Sequence, residues 1–341
     1  MKIYIPSKNI KGLTEPDYEP FFASGFSAGY EDGYESYPCE RKTPLTFDII
    51  SGGTIYWKGT ARTIEYKKNK GEWVSITAEA NIDVKAGDTL EFRGNNISYS
   101  GNRFGSDDDC RFSIRGNIMS LINASSYPTL TSVSPSAFYA LFQNSPGQQG
   151  SRGLCDASNL LLPATTLGSY CYYDMFYCCE GLTAAPELPA TALVEGCYRN
   201  LFKGCKSLTT APSILPATTL ANYCYEQMFE VCTSLTEAPE LPATTLANYC
   251  YRSMFAGCTS LTKAPELTAT TLANSCYDSM FQGCTSLNYI KCLATNISAS
   301  NYTYYWVEDV ASTGTFVKDP NATWDRGENG IPNNWTVIDA S

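Results

Sequence analysis

Leu241-Pro242-Ala243-Thr244-Thr245-Leu246-Ala247-Asn248-Tyr249-Cys250-Tyr251-Arg252-Ser253-Met254-Phe255-Ala256-Gly257-Cys258-Thr259-Ser260-Leu261 is one copy of a unit that recurs along the chain. The opening phrase begins at Leu162, Leu188, Leu215, Leu241 and Leu267, in steps of 26, 27, 26 and 26 residues. A Cys-Tyr pair follows at Cys171-Tyr172, Cys197-Tyr198, Cys224-Tyr225, Cys250-Tyr251 and Cys276-Tyr277. A second cysteine closes each unit, at Cys179, Cys205, Cys232, Cys258 and Cys284, with Phe176, Phe202, Phe229, Phe255 and Phe281 shortly before it. Self-similarity at a fixed period of this size is the mark of a repeat array, in which each unit buries its apolar face only against its neighbours.

Within a unit, Leu220, Cys224, Met228 and Cys232 recur every four residues, with Phe229 beside them. This spacing predicts a short helix with an inward stripe. The following Ser234-Leu235-Thr236-Glu237-Ala238-Pro239 is too short for a helix and is stopped by proline, so it reads as one strand-like rung and a turn. Five such units, plus a degenerate first copy at 136–145, predict a leucine-rich-repeat-like solenoid over residues 122–293. Residues 294–341, with Trp306, Trp324 and Trp335, read as a C-terminal cap.

Ahead of the repeats, short β-rich runs lie between turn signals such as Ser51-Gly52-Gly53 and Asn69-Lys70-Gly71. They begin at Leu45, Thr54, Thr63, Trp73, Ile82 and Thr89. They predict a small antiparallel β-sandwich-like domain over 43–121. The expected fold class is therefore mixed α/β and multidomain, that small sandwich-like domain being followed by the solenoid. Residues 1–42 place Gly25, Gly29 and Gly33 every four residues beside Phe26, Tyr30 and Tyr34. On a helix this is a small stripe next to an aromatic one, suited to attachment or homo-oligomerisation, although a flexible glycine-rich arm fits the same residues.

Composition limits the function. The formal charge of −10 repels phosphate backbones and anionic lipid, so no nucleic acid is expected as partner. No run of apolar residues is long enough to predict membrane insertion. The start, Met1-Lys2-Ile3-Tyr4-Ile5-Pro6, lacks a secretory h-region, an expectation against general export. Histidine is absent, which removes the commonest general base and zinc ligand, so neither an enzyme nor a cofactor is expected. A hydrolase would need a carboxylate pair, and none with constrained spacing stands out.

The 15 cysteines have two readings. As a functional set they would ligate metal or pair as disulfides. The register positions instead suit small, buried, unreactive filler; zinc sites want paired cysteines two to four residues apart, and the only close pair is the adjacent Cys178-Cys179. The tyrosines of the Cys-Tyr pairs would stack in a column, offering their faces to sugars or packing with the phenylalanines. Asp107-Asp108-Asp109 lacks the fixed glycine and distant glutamate of a calcium loop and reads as an acidic turn.

Units such as Met254-Phe255-Ala256-Gly257-Cys258-Thr259-Ser260-Leu261-Thr262 and Leu215-Pro216-Ala217-Thr218-Thr219-Leu220 resemble the BspA-like class of leucine-rich repeats. The present unit is longer by about three residues around the Cys-Tyr pair, a departure that bears on the helical side. The resemblance, which covers roughly residues 136–293, implies adhesion: such repeats occur in surface adhesins of host-associated bacteria and in fibre-type proteins of phages infecting gut bacteria.

Positions where the repeats disagree are the candidate recognition surface, because stacking holds the core and frees the outside. They are Tyr173-Asp174, Arg199-Asn200, Glu226-Gln227, Arg252-Ser253 and Asp278-Ser279, with a second column at Ala184, Thr210, Glu237, Lys263 and Tyr289. The resulting expectation is a non-enzymatic virion protein of fibre or spike type at the virion surface. It would contact other virion proteins and bind a bacterial surface glycan or protein. A bacterial surface adhesin is the alternative.

Overall fold

The computed structural model describes residues 40–59, 63–76, 79–144, 150–299 and 301–341. Residues Cys39–Ser341 form one unit. The candidates Gly25, Phe26, Gly29, Tyr30, Gly33 and Tyr34 lie outside the described residues.

Alternating apolar and polar residues build the first part as strands: β1 (Leu45–Ser51), β2 (Gly53–Lys58), β3 (Ile64–Lys68), β4 (Trp73–Ile76), β5 (Ala80–Val84), β6 (Thr89–Gly94), β7 (Arg103–Ser106) and β8 (Arg111–Asn117). With β9 (Leu154–Leu161) they form a six-stranded sheet, β4-β3-β6-β1-β8-β9, and a three-stranded sheet, β5-β2-β7. The two sheets meet through aromatics. Phe47 of β1 lies 4.8 Å from Phe92 and 5.0 Å from Phe104, and Trp57 lies 4.9 Å from Phe104. Pairing is antiparallel except at β8·β9, which is parallel and joins the sheet to the repeats. A single buried cluster runs from Leu45 to Trp335.

The repeats hold no helix. Among the described residues the helical segments are three short 3₁₀ turns, Glu40–Lys42, Ile118–Leu121 and Tyr127–Thr129. The mixed α/β class with a helix-bearing, leucine-rich-repeat-like solenoid is thus overturned: the described chain is strand and turn.

The backbone shows why. In the quoted unit, Tyr249, Ser253 and Gly257 adopt φ of 59°, 50° and 73°, and the equivalent residues of the other units do the same. A left-handed residue at every fourth position prevents a helix from propagating. Alternate N–H groups then divide. Those of Met254, Ala256 and Cys258 close turns onto Tyr251, Ser253 and Phe255, at 3.1, 3.2 and 3.0 Å. Those of Tyr251, Ser253, Phe255 and Gly257 donate to Cys276, Asp278, Met280 and Gln282 of the next unit, at 3.1, 2.8, 2.9 and 2.7 Å. A strict period of four favours this arrangement. An α-helix rotates about 40° past a full turn every four residues, so a four-residue stripe drifts by about 120° over three steps, whereas tandem turns keep it straight.

The apolar stripe is buried as a stack of rungs. Phe142, Phe176, Phe202, Phe229, Phe255 and Phe281 stack at centroid separations of 5.4–5.8 Å. Beside them Phe138, Tyr172, Tyr198, Tyr225, Tyr251 and Tyr277 stack at 5.5–6.1 Å. Tyr225 therefore packs on its counterparts in neighbouring units, in the column beside that of Phe229. Each of these fully buried rings contributes about 1.5–3 kcal/mol relative to exposure. Both columns continue into the β part, through Phe104 on Phe142 at 5.7 Å and Tyr99 on Phe138 at 6.4 Å.

At the far end the stack meets β10 (Tyr289–Cys292), β11 (Thr315–Lys318) and β12 (Thr336–Asp339), a parallel sheet in that order. Trp306 covers Tyr277 at 6.0 Å and is covered in turn by Trp324 at 5.5 Å.

Candidate functional site

The register cysteines belong to the interior. Cys171, Cys179, Cys197, Cys205, Cys224, Cys232, Cys250, Cys258, Cys276 and Cys284 are all fully buried and all free thiols. The second cysteine of each unit donates its thiol hydrogen to the carbonyl of the preceding unit's ring residue: Cys179 to Phe142, Cys205 to Phe176, Cys232 to Phe202, Cys258 to Phe229 and Cys284 to Phe255, at 3.0–3.2 Å. Burial pushes the Cys197, Cys250 and Cys284 thiols up to about 12, far from the thiolate form that metals and electrophiles require. Among the described residues no three His, Cys, Asp or Glu side chains converge on a metal-sized site. Asp107 accepts from the backbone N–H of Thr54 and Cys110, at 2.7 and 2.9 Å, and Asp108 pairs with Arg152 at 2.5 Å, so this acidic turn holds the β part together.

The turn segments carry a second, outward column. Tyr139 stacks on Tyr173 at 5.0 Å. The Arg199 guanidinium sits between two rings, 5.6 Å from Tyr173 and 5.6 Å from Tyr223. Tyr223 stacks on Tyr249 at 4.9 Å, and Arg252 lies 5.8 Å from Tyr249. A ladder of charges runs alongside. Arg199 Nε lies 2.8 Å from Glu226 Oε2, Arg252 Nη1 3.5 Å from Glu226 Oε1, and Arg252 Nε 3.7 Å from Asp278 Oδ2. At the near end Asn200 Nδ2 donates to Asp174 Oδ1 at 3.0 Å, and Tyr170 donates to Glu195 at 2.8 Å.

The ten candidates divide by position. Tyr173, Arg199 and Arg252 form the ridge itself, with Arg252 the most exposed at 46% of its side chain. Glu226 is 2% exposed and Asn200 7%, so both lie beneath the ridge and support it. Burial raises the Glu226 carboxyl above the ordinary glutamate value, although Arg199 and Arg252 pull the other way; burial likewise raises Asp174. Gln227, Ser253 and Ser279 are half-buried and serve as left-handed hinge residues of the turns, as do Asp174 and Asn200; Asp278 is half-buried and closes the charge ladder. In the second column Ala184 and Thr210 bridge as rungs, Lys263 lies 5.3 Å from the Tyr289 ring, and Glu237 is exposed.

Tyr139, Tyr170, Tyr223 and Tyr249 were not candidates. The signal for Tyr170, Tyr223 and Tyr249 was their shared register just ahead of the Cys-Tyr pair; Tyr139 sits in the register of Tyr173 in the degenerate first copy. Along the ridge each of Tyr173, Tyr223 and Tyr249 has another ring and a guanidinium group against it. The ridge therefore presents edges, hydroxyls and guanidinium N–H groups to solvent, in a conformation locked by ion pairs.

Among the described residues no helix is long and apolar enough to cross a membrane. No family model, no curated protein and no solved structure matches the chain.

Proposed function

We propose that the chain is a non-enzymatic virion structural protein of fibre or spike type whose repeat ridge binds a receptor on a bacterial cell surface during attachment. The observation that carries the reading is the ridge Tyr139, Tyr173, Arg199, Tyr223, Tyr249 and Arg252. Tyrosine and arginine dominate binding hot spots, because they offer large contact area and directed hydrogen bonds at small entropic cost. Here their order is set before any partner arrives, which lowers the cost of binding. The receptor, a glycan or a protein, is read through hydrogen bonds to ring edges and guanidinium groups rather than by a sugar stacking on an open ring face. The virion setting draws on the resemblance of the repeat wording to phage fibre-type and BspA-like surface proteins.

The test is binding of the labelled chain to whole cells of a panel of anaerobic gut bacteria, beside a variant carrying Tyr249→Ala and Arg252→Ala. Saturable binding to some strains, weakened about tenfold or more in the variant, is the expected result. Absence of binding across the panel, or equal binding by a variant with native thermal stability, would remove the reading. Binding to mammalian epithelial cells alone would favour an adhesin.

A further inference from the structure

The parallel β8·β9 pairing extends the six-stranded sheet into the repeats through bridges at Asp156, Ala184 and Thr210, and a separate bridge joins Lys263 to Tyr289 of β10, the first strand of the β10-β11-β12 sheet. The strands that end these two sheets, β4 and β12, differ. β4 is entered through a turn that carries the exposed Lys70 and Glu72, the kind of charge that discourages strand addition. β12 carries Thr336-Val337-Ile338-Asp339, with no proline, no lysine and no bulge, and Ile338 is 49% exposed. Among the described residues no strand pairs with its outer edge.

The hydrogen bonds on its inner edge decide what the outer edge offers. The Thr336 and Ala340 N–H groups donate to Gly314 and Lys318, at 2.9 and 2.7 Å. Successive residues of a strand alternate their bonding direction, so the N–H and C=O groups of Val337 and Asp339 point outward. The Asp339 charge is already matched by Lys318 at 2.8 Å.

We propose that two copies of this chain associate through β12 as an antiparallel, two-fold pair centred on Ile338. A two-fold axis normal to the sheet keeps the same face of both copies on the same side, so paired residue numbers must sum to an even value. Centring on Ile338 sets Val337 across from Asp339 of the other copy on each side of the axis, so all the outward donors and acceptors of these two residues are used. Ile338 then faces its own counterpart in a non-hydrogen-bonded pair, where side chains approach most closely. The isologous arrangement closes on itself, whereas head-to-tail addition would require the charge-flanked β4 edge as partner. A four-residue strand pair buries less than a standard interface, so the association is concentration-dependent.

Sedimentation equilibrium on the full chain tests this, with a weight-average mass that rises toward that of two chains as concentration increases. Val337→Pro removes a donor that serves only the second copy. It should weaken dimerisation about tenfold or more, with a melting temperature lowered only by the lost packing of the half-buried Val337 side chain. If that variant fails to fold, Ile338→Lys gives the same readout. Under mild oxidation with glutathione disulfide, Ile338→Cys should yield a reducible dimer, because non-hydrogen-bonded pairs hold Cα atoms within disulfide reach. Thr336→Cys should not, since its counterpart lies about 13 Å further along the pair. A monomer at every concentration, or equal cross-linking at both positions, overturns the proposal.

Discussion

Mild alkali should unfold this protein cooperatively, and the register thiols are the reason. All ten are fully buried, and burial holds each above the ordinary thiol value, well above that value for Cys205, Cys224 and Cys258 and at about 12 for Cys197, Cys250 and Cys284. At neutral pH both folded and unfolded chains keep these thiols protonated, so they contribute no pH dependence. Once the pH passes about 8.5, only the unfolded chain releases the protons. Stability is therefore complete below that value and is lost as the pH climbs toward the folded values, by about 1.4 kcal/mol per thiol per pH unit. One unit above the ordinary thiol value, ten thiols together withdraw about 14 kcal/mol, comparable with a whole-domain stability of roughly 5–15 kcal/mol. Thermal unfolding followed by circular dichroism, under a phosphine reductant and from about pH 7 to about pH 10, should show the melting temperature falling steeply above about pH 8.5. Cys258→Ala combined with Cys284→Ala should reduce that slope by about a sixth, because the fully buried Cys110 and Cys292 are held at about 12 as well. A flat melting temperature would refute the reasoning. So would thiolate absorbance that grows with pH while the dichroism stays native.

Three further outcomes follow from the same geometry. Gly283→Ala, at φ 71° with only ordinary van der Waals neighbours for the new methyl, should lower stability by about 1 kcal/mol, and Ser253→Gly, at φ 50°, should raise it by a similar amount, both read by urea denaturation. Phe229→Ala opens a cavity between Phe202 and Phe255 and should cost about 3–5 kcal/mol by the same measurement, against less than about 1.5 kcal/mol for the exposed Val231→Ala. Among the described thiols, a disulfide reagent should label the half-buried Cys155 and Cys178 in the native state and the register cysteines only after unfolding, as peptide mapping would show.

Much of the interior was legible because stacking forces like residues onto like. Leu220, Cys224, Met228 and Cys232 are buried together, as a four-residue period requires. The conformation carrying that period was misread. Apolar spacing alone cannot separate a helix from tandem turns. The distinguishing marks were the strictness of the period and the small or polar residues at Ser253, Gly257, Ser279 and Gly283, which tolerate a left-handed backbone. The ridge was half legible. Variation between units pointed to Arg199 and Arg252, but it equally flagged Glu226, which lies buried beneath the two more exposed arginines it pairs with. Tyr223 and Tyr249 escaped notice because they repeat, and repetition reads as core. β7 and β8 were missed because their pattern is interrupted by the glycines and acidic turn around Asp107.

The division of N–H groups between neighbouring turns and neighbouring units also makes the stack a polarised object. In each interface from Tyr170 to Gly257 five donors point toward the later unit, so their dipoles add along the axis with the positive end at the C-terminal side, opposite in sense to an α-helix. At the negative end the carbonyls of Ala137 and Leu141 are met by the N–H groups of Tyr99 and Phe104, at 2.7 and 2.8 Å. At the positive end Asn329 Oδ1 takes the Tyr305 N–H at 2.6 Å and the Glu328 carbonyl takes that of Val307 at 3.3 Å. Removing residues 301–341 would leave the N–H groups of Tyr277, Ser279, Phe281 and Gly283 aimed in parallel at solvent. The exposed end would then be an electropositive surface that attracts any carboxylate-rich segment able to reach it.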